Sequence, residues 1–224
     1  MLWPWGFTYA SAPNGSALQT LGRKLAFFNG YEPAQAVELY PTDGTTDDFA
    51  YGELGLAAYT FEVGTTTFFQ DCATFENTIL PDNLPALLYA AKAARTPYIT
   101  PSGPDTLGVM AMPSITLASE FVHLTATVSD ARYSDRNGTE ATQAISAAEY
   151  YINVPPWVTT TTPVAYPMAV VDGAFDAPVE DITATLDPAN LVPGRNLIFV
   201  RGQDAEGNWG AFSAVFVDLA GPSL

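Results

Sequence analysis

The sequence predicts two domains of different class: a mixed first part of helices and one extended run, then an all-β second part. Three observations carry this expectation. Helical periodicity is confined to residues 1–98. A stretch dense in proline and glycine, residues 99–106, follows it as a linker. Over residues 107–224, short β-rich runs recur between turn signals. A length of 224 residues also suits two modest domains.

In chain order, "GSALQTLGRKLAFFNG" (15–30) reads as a helix. Leu18, Leu21, Leu25 and Phe28 share one face, and Asn29-Gly30 supply a stop. The turn-rich "YPTDGTTDDF" comes next, and then "AAYTFEVG" (57–64), a strand-like run. "LPDNLPALLYAAKAAR" predicts a second helix, with Asp82 or Asn83 as N-cap and Pro85 in the first turn. Lys92 and Arg95 near its end complement the helix dipole. Past the linker, "ASEFVHLTATVSD", "AAEYYINVPPW", "DITATLDP", "RNLIFVRGQDAEGNWG" and "FSAVFVDL" are the strand candidates. Their rhythm predicts an antiparallel β-sandwich of immunoglobulin-like type rather than a barrel, which wants more evenly spaced hairpins.

Acidic residues outnumber basic ones 24 to 8, a net charge of −16. Such a chain repels nucleic acid and anionic membranes. No run of eighteen apolar residues suggests a membrane span, and "MLWPWGFTYA" has no basic, apolar leader pattern. Cys72 is the single cysteine, which excludes an internal disulfide and a cysteine-based metal cage. It is either a buried small hydrophobe or has its partner outside the chain. His123, the single histidine, lies in a strand-like run with no carboxylate or histidine at ligand spacing, and is rejected as a metal ligand. In "VRGQDAEGNWG", Gly207-Asn208 supply a turn and Trp209 can pack across the strands. Asp204, Glu206 and Asn208 alternate there without the spacing of a calcium loop, so a polar turn is the better reading.

Glu62 stands out, because an ionised acid in an apolar run is costly unless it is paired or useful. By itself it reads as a strand-end glutamate facing solvent. Its flanks change that reading. "LWPWG", "YPTDGTTDDFAYGELGLAAYTFEVG" and "ILPDNLPALLYAAKAARTPY", in this order and spacing, resemble the C-terminal third of a zinc metallocarboxypeptidase catalytic domain of the carboxypeptidase A/B/T-like family, bacterial type. The resemblance covers residues 1–98 and implies an α/β fold there, joined to the immunoglobulin-like sandwich. It implies that Glu62 is the catalytic glutamate, taking a proton from zinc-bound water and delivering it to the leaving amine. It implies that Tyr40, 22 residues earlier, closes over the substrate's C-terminal residue. Asp47 matches the floor of the side-chain pocket, where an acid favours Lys or Arg on the substrate. Asp48 is expected to hold nearby backbone, and Phe49 stands where the family usually has tryptophan.

The resemblance further implies a Zn2+ cofactor, peptide or protein C-termini as partners, and an extracellular, secreted location. The family's zinc ligands, two histidines and a glutamate, have no match in this sequence. The expectation is therefore a carboxypeptidase fragment, a peptide hydrolase by family, whose metal ligands lie upstream in a missing N-terminal part and which is inactive as this chain. The alternative is a non-catalytic binding or spacer protein acting through its β-sandwich.

Overall fold

Leucine spacing and a terminal glycine place the first helix where they predict it. The computed structural model describes residues 1–64 and 67–221. In it β1 (Leu2–Trp3) precedes α1 (Gly15–Asn29), whose Leu18, Leu21 and Leu25 are buried. Gly30 ends α1 in the left-handed conformation (φ 67°), its N–H bonded to the Ala26 carbonyl. Gly22, inside α1, lies under the Trp3 ring so closely that a Cβ there would collide with it. β2 (Ala34–Gln35) pairs parallel to β1, and α2 (Ala36–Leu39) and α3 (Thr46–Gly52) follow. Trp3, Ala12, Leu18 and Tyr51 form a small core beneath them, joined by Tyr59 and Tyr98.

The second predicted helix is present as α5, but the helical path into it begins before the expected cap. α4 (Cys72–Thr74) runs through a π-helical turn (Phe75–Ile79) into α5 (Leu80–Ala93). The cap is Asp71, which accepts the Thr74 N–H at 2.8 Å, and not Asp82 or Asn83. Asn83 is instead buried mid-helix, donating to the Ile79 carbonyl and the Tyr31 hydroxyl and accepting from Asn29. Pro85 lies inside α5, on its exposed side. Cys72 is exposed, which excludes the buried reading. The run 57–64 pairs only at Thr60 among the described residues, through an isolated bridge to Leu2.

The second unit is a β-sandwich, as its strand pairings show. One sheet has the order β4 (Ile115–Thr116), β11 (Ser213–Leu219), β10 (Gly194–Asp204), β6 (Ile145–Ile152), β7 (Tyr166–Pro167). The other has the order β3 (Asp105–Met112), β5 (Val122–Ser129), β9 (Val179–Leu186), β8 (Ala169–Val170). Except for the parallel β4–β11 pair, every pairing is antiparallel. Strand alternation turns Val122, Leu124, Val128, Ile182 and Leu186 of one sheet onto Ile198, Val200 and Val217 of the other, all fully buried. The five strand candidates fall on β5, β6, β9, β10 and β11; β3 and the two-residue strands β4, β7 and β8 were not visible in the sequence.

The units do not divide as the sequence suggested. Unit one is Met1–Ser102 together with Arg132–Ala141, and unit two is Gly103–Ala131 with the chain from Thr142 on. Residues 99–106 are no open linker either. They hold a 3-10 turn (Thr100–Ser102) and the start of β3.

Candidate functional site

Residues Trp5 and Gly6 organise the first unit's candidate site through their backbone. The Trp5 carbonyl accepts from the Val37 N–H (3.2 Å), and the Gly6 carbonyl accepts from Thr42 (2.9 Å). The loop between, which carries Tyr40, is thus pinned at both ends while the Tyr40 side chain stays 62% exposed. The Gln35 side chain adds three bonds, to the carbonyls of Trp5, Thr8 and Ala10. Gly6 closes the "LWPWG" motif, but no pattern in the sequence announces its bonds to Asp48 and Thr42 or the bonds of Gln35.

The Gly6 N–H donates to both carboxylate oxygens of Asp48, at 3.0 Å each. Asp48 sits in the first turn of α3, capped by the Thr45 hydroxyl, and performs the backbone-holding task expected of it. Burial pushes its carboxyl above the ordinary 3.8, and Asp47 adds to the rise, while the Gly6 N–H and Thr45 oppose it. Asp47 is buried too, its Oδ1 accepting the Asp48 N–H at 3.2 Å. An open cleft of about 650 Å³ lies beside them, lined by Trp5, Phe7, Thr45, Asp48, Phe49 and Glu53 among others. Tyr40, Asp47 and Glu62 do not line it.

Glu62 follows the Thr60 bridge by two residues. Leu2 and Thr60 exchange both backbone bonds at 2.9 Å, and Leu2 is in register with Ala34 on its other side. Three extended segments therefore lie side by side, and they bring the approaches to Glu62 and Tyr40 into one unit. Glu62 itself is exposed, so the apolar enclosure expected around it is not formed by the described residues. Tyr59, three residues before Glu62, donates to the Leu18 carbonyl at 2.7 Å, and burial raises its phenol well above 10.0.

Second-unit candidates are fewer. His123 is exposed on β5. Among the described residues, no three His, Cys, Asp or Glu side chains gather as metal ligands would. Asp204 is occupied by its own turn, accepting from the Asn208 backbone and side chain at 2.8 and 2.9 Å. Trp209 packs under the Arg201 guanidinium (4.2 Å), which also pairs with Glu149 at 2.6 Å.

No family model matches the chain. A zinc carboxypeptidase from Saccharothrix mutabilis subsp. capreolus is 42% identical over 69 residues, which cover 28% of this chain and 16% of that protein. The chain thus spans about a sixth of the curated relative it matches. Among solved structures, the PKD domain of an M14-like peptidase from Thermoplasmatales archaeon SCGC AB-540-F20 is 13% identical (TM-score 0.30; 53% of this chain, 97% of that one). The fibronectin(III)-like modules of Clostridium thermocellum CbhA are 14% identical (TM-score 0.29; 52% and 97%). At those scores neither adds to what the strand pairings establish. No helix among the described residues is long and apolar enough to cross a membrane.

Proposed function

We propose that the first unit is the C-terminal portion of a secreted zinc carboxypeptidase of α/β fold, and that the immunoglobulin-like sandwich is its companion domain. The observation that carries this reading is the 42% identity over 69 residues to a protein named zinc carboxypeptidase. In this reading the substrate is the C-terminal residue of a peptide or protein. Glu62 takes the proton of the attacking water and passes it to the departing amine. Tyr40, on a loop pinned at both ends, covers the bound residue, and Asp47 receives a cationic side chain.

A zinc ion does not fit the residues present. The chain has one histidine, it is exposed in the second unit, and no ligand cluster forms among the described residues. In the proposed reading the metal is held by residues other than those described.

The test is to read the coding frame upstream of codon 1 and assay the chain extended by it on peptides with free C-termini. The expected frame contains HxxE and a later histidine, and the extended protein releases C-terminal residues. Glu62→Gln should then lower kcat by about 10² to 10⁴-fold with KM little changed. A frame without those ligands, or full activity in Glu62→Gln, overturns the reading and leaves the binding or spacer role.

A further inference from the structure

Ten of the fifteen residues that join β5 to β6, Arg132–Ala141, belong to the first unit and not to the sandwich whose strands the connection links. Their contacts there centre on two cations that α1 buries, Arg23 at 2% exposure and Lys24 at 0%. A buried cation is costly without partners, and this segment supplies several of them. Glu140 Oε1 lies 3.3 Å from Arg23 Nε, and the Asn137 carbonyl accepts from Arg23 Nη2 at 2.6 Å. Lys24 Nζ stands 4.1 Å over the Tyr133 ring. The Arg132 guanidinium covers the Phe27 and Phe28 rings at 4.6 and 5.3 Å.

The same segment grips the unit at three more places. Ser134 N–H donates to the Arg23 carbonyl (3.0 Å), and the Tyr133 hydroxyl donates to the Pro101 carbonyl (2.9 Å). Asn137 Nδ2 donates to the Pro33 carbonyl (2.9 Å) and to Glu38 (3.3 Å), beside α2. The backbone is shaped for this seat. Asn137 and Gly138 both have positive φ (52° and 107°), and the Arg23 guanidinium fills the space a Cβ on Gly138 would take.

We infer that Arg132–Ala141 is a strap the first unit requires, so that residues 1–102 do not complete their own fold and the sandwich is not a detachable appendage. The physical reason lies in α1. Without the strap, the helix keeps Arg23 and Lys24 in its packed stretch and loses three of the groups set against them, the Glu140 carboxylate, the Asn137 carbonyl and the Tyr133 ring. The inference does not depend on the carboxypeptidase reading, since it concerns only how the first unit is held together.

Hydrogen exchange on the full 224-residue chain tests it, comparing wild type with two variants. One is the double substitution Tyr133→Ala with Glu140→Gln. The other replaces residues 132–141 with a Gly/Ser segment of equal length. Peptides covering Leu18–Asn29 should exchange at least about tenfold faster in both, while those covering Asn196–Asp204 of β10 stay within about twofold of wild type. Unchanged exchange in α1 overturns the inference, and so does equal acceleration of α1 and β10. Should the replaced-strap chain be insoluble, the double variant decides, because its two substitutions leave the sandwich core untouched.

Discussion

Asp48 holds the Gly6 amide with both carboxylate oxygens, so one acid fixes the backbone that also anchors the Tyr40 loop through the Gly6 carbonyl. Asp48→Ala leaves that buried N–H without its acceptor and should cost about 1–3 kcal/mol. Asp48→Asn separates charge from shape. The wild-type carboxyl is raised in the folded state, so the fold binds a proton that the unfolded chain has already released. Wild-type stability contributed by Asp48 therefore falls as pH rises from the unfolded value near 3.8 through the raised folded value, and then levels off. Urea unfolding followed by tryptophan fluorescence across that window should show Asn gaining on Asp as pH rises.

Asn196 makes the corresponding anchor in the sandwich. It is fully buried on β10 and accepts from the Asn153 side chain (2.8 Å) and the Val192 N–H (2.9 Å). It also donates to the Val192 and Gly194 carbonyls (2.8 and 3.0 Å). Asn196→Ala strands four partners at once and should destabilise the second unit by about 2–4 kcal/mol. Denaturant titration with Trp157 and Trp209 as probes measures it.

How far the sequence revealed this molecule depends on how local each determinant is. The Leu18, Leu21, Leu25 spacing and Gly30 lie within one helix, and the alternation of Val122, Leu124, Ala126 and Val128 lies within one strand, so both were legible. The cap of the second helix was not legible because Asp82, Asn83 and Pro85 imitate a capped N-terminus, while Asp71, which caps the helical path, lies before α4 and the π-helical turn. Strands β4, β7 and β8 are two residues long and carry no period of their own. Nothing in the sequence ties the strap to the first unit, since Glu140 and Arg23 are too far apart in sequence for any local pattern to join them. Glu62, Tyr40 and Asp47 stand out only through the motif that the sequence carries. The Gly6 and Gln35 bonds beside the Tyr40 loop run mainly through backbone carbonyls and amides, which residue type does not announce.

Gly202, on β10, faces Val128 of the opposing sheet at a distance that leaves no room for a Cβ. Gly202→Ala should therefore overpack the sandwich core and lower its stability by about 1–3 kcal/mol. Val128→Ala, introduced together with it, frees the space and should cost less than the sum of the two single changes. Thermal unfolding of the three variants forms the cycle.

Asp71 caps α4 from an exposed position, accepting from the Thr74 N–H and hydroxyl, and both bonds hold its carboxyl below 3.8. A lowered folded value means the cap contributes above the unfolded value and is lost as pH falls through the folded one. Asp71→Ala should speed amide exchange over Cys72–Ile79 at neutral pH, and the difference from wild type should shrink as the solution is acidified.

Asp47 offers the sharpest functional prediction. It is 5% exposed, and among the described residues no Lys or Arg pairs with it. In the carboxypeptidase reading Asp47 receives a substrate Lys or Arg, and a charge-assisted hydrogen bond to such a group is of the order of 1.5–3 kcal/mol. In the chain extended upstream, Asp47→Asn should reduce kcat/KM for peptides ending in Lys or Arg by about tenfold to a hundredfold, while peptides ending in Leu or Phe change little. Equal loss on both substrate classes would show that Asp47 only supports α3, through the bond it accepts from the Asp48 N–H.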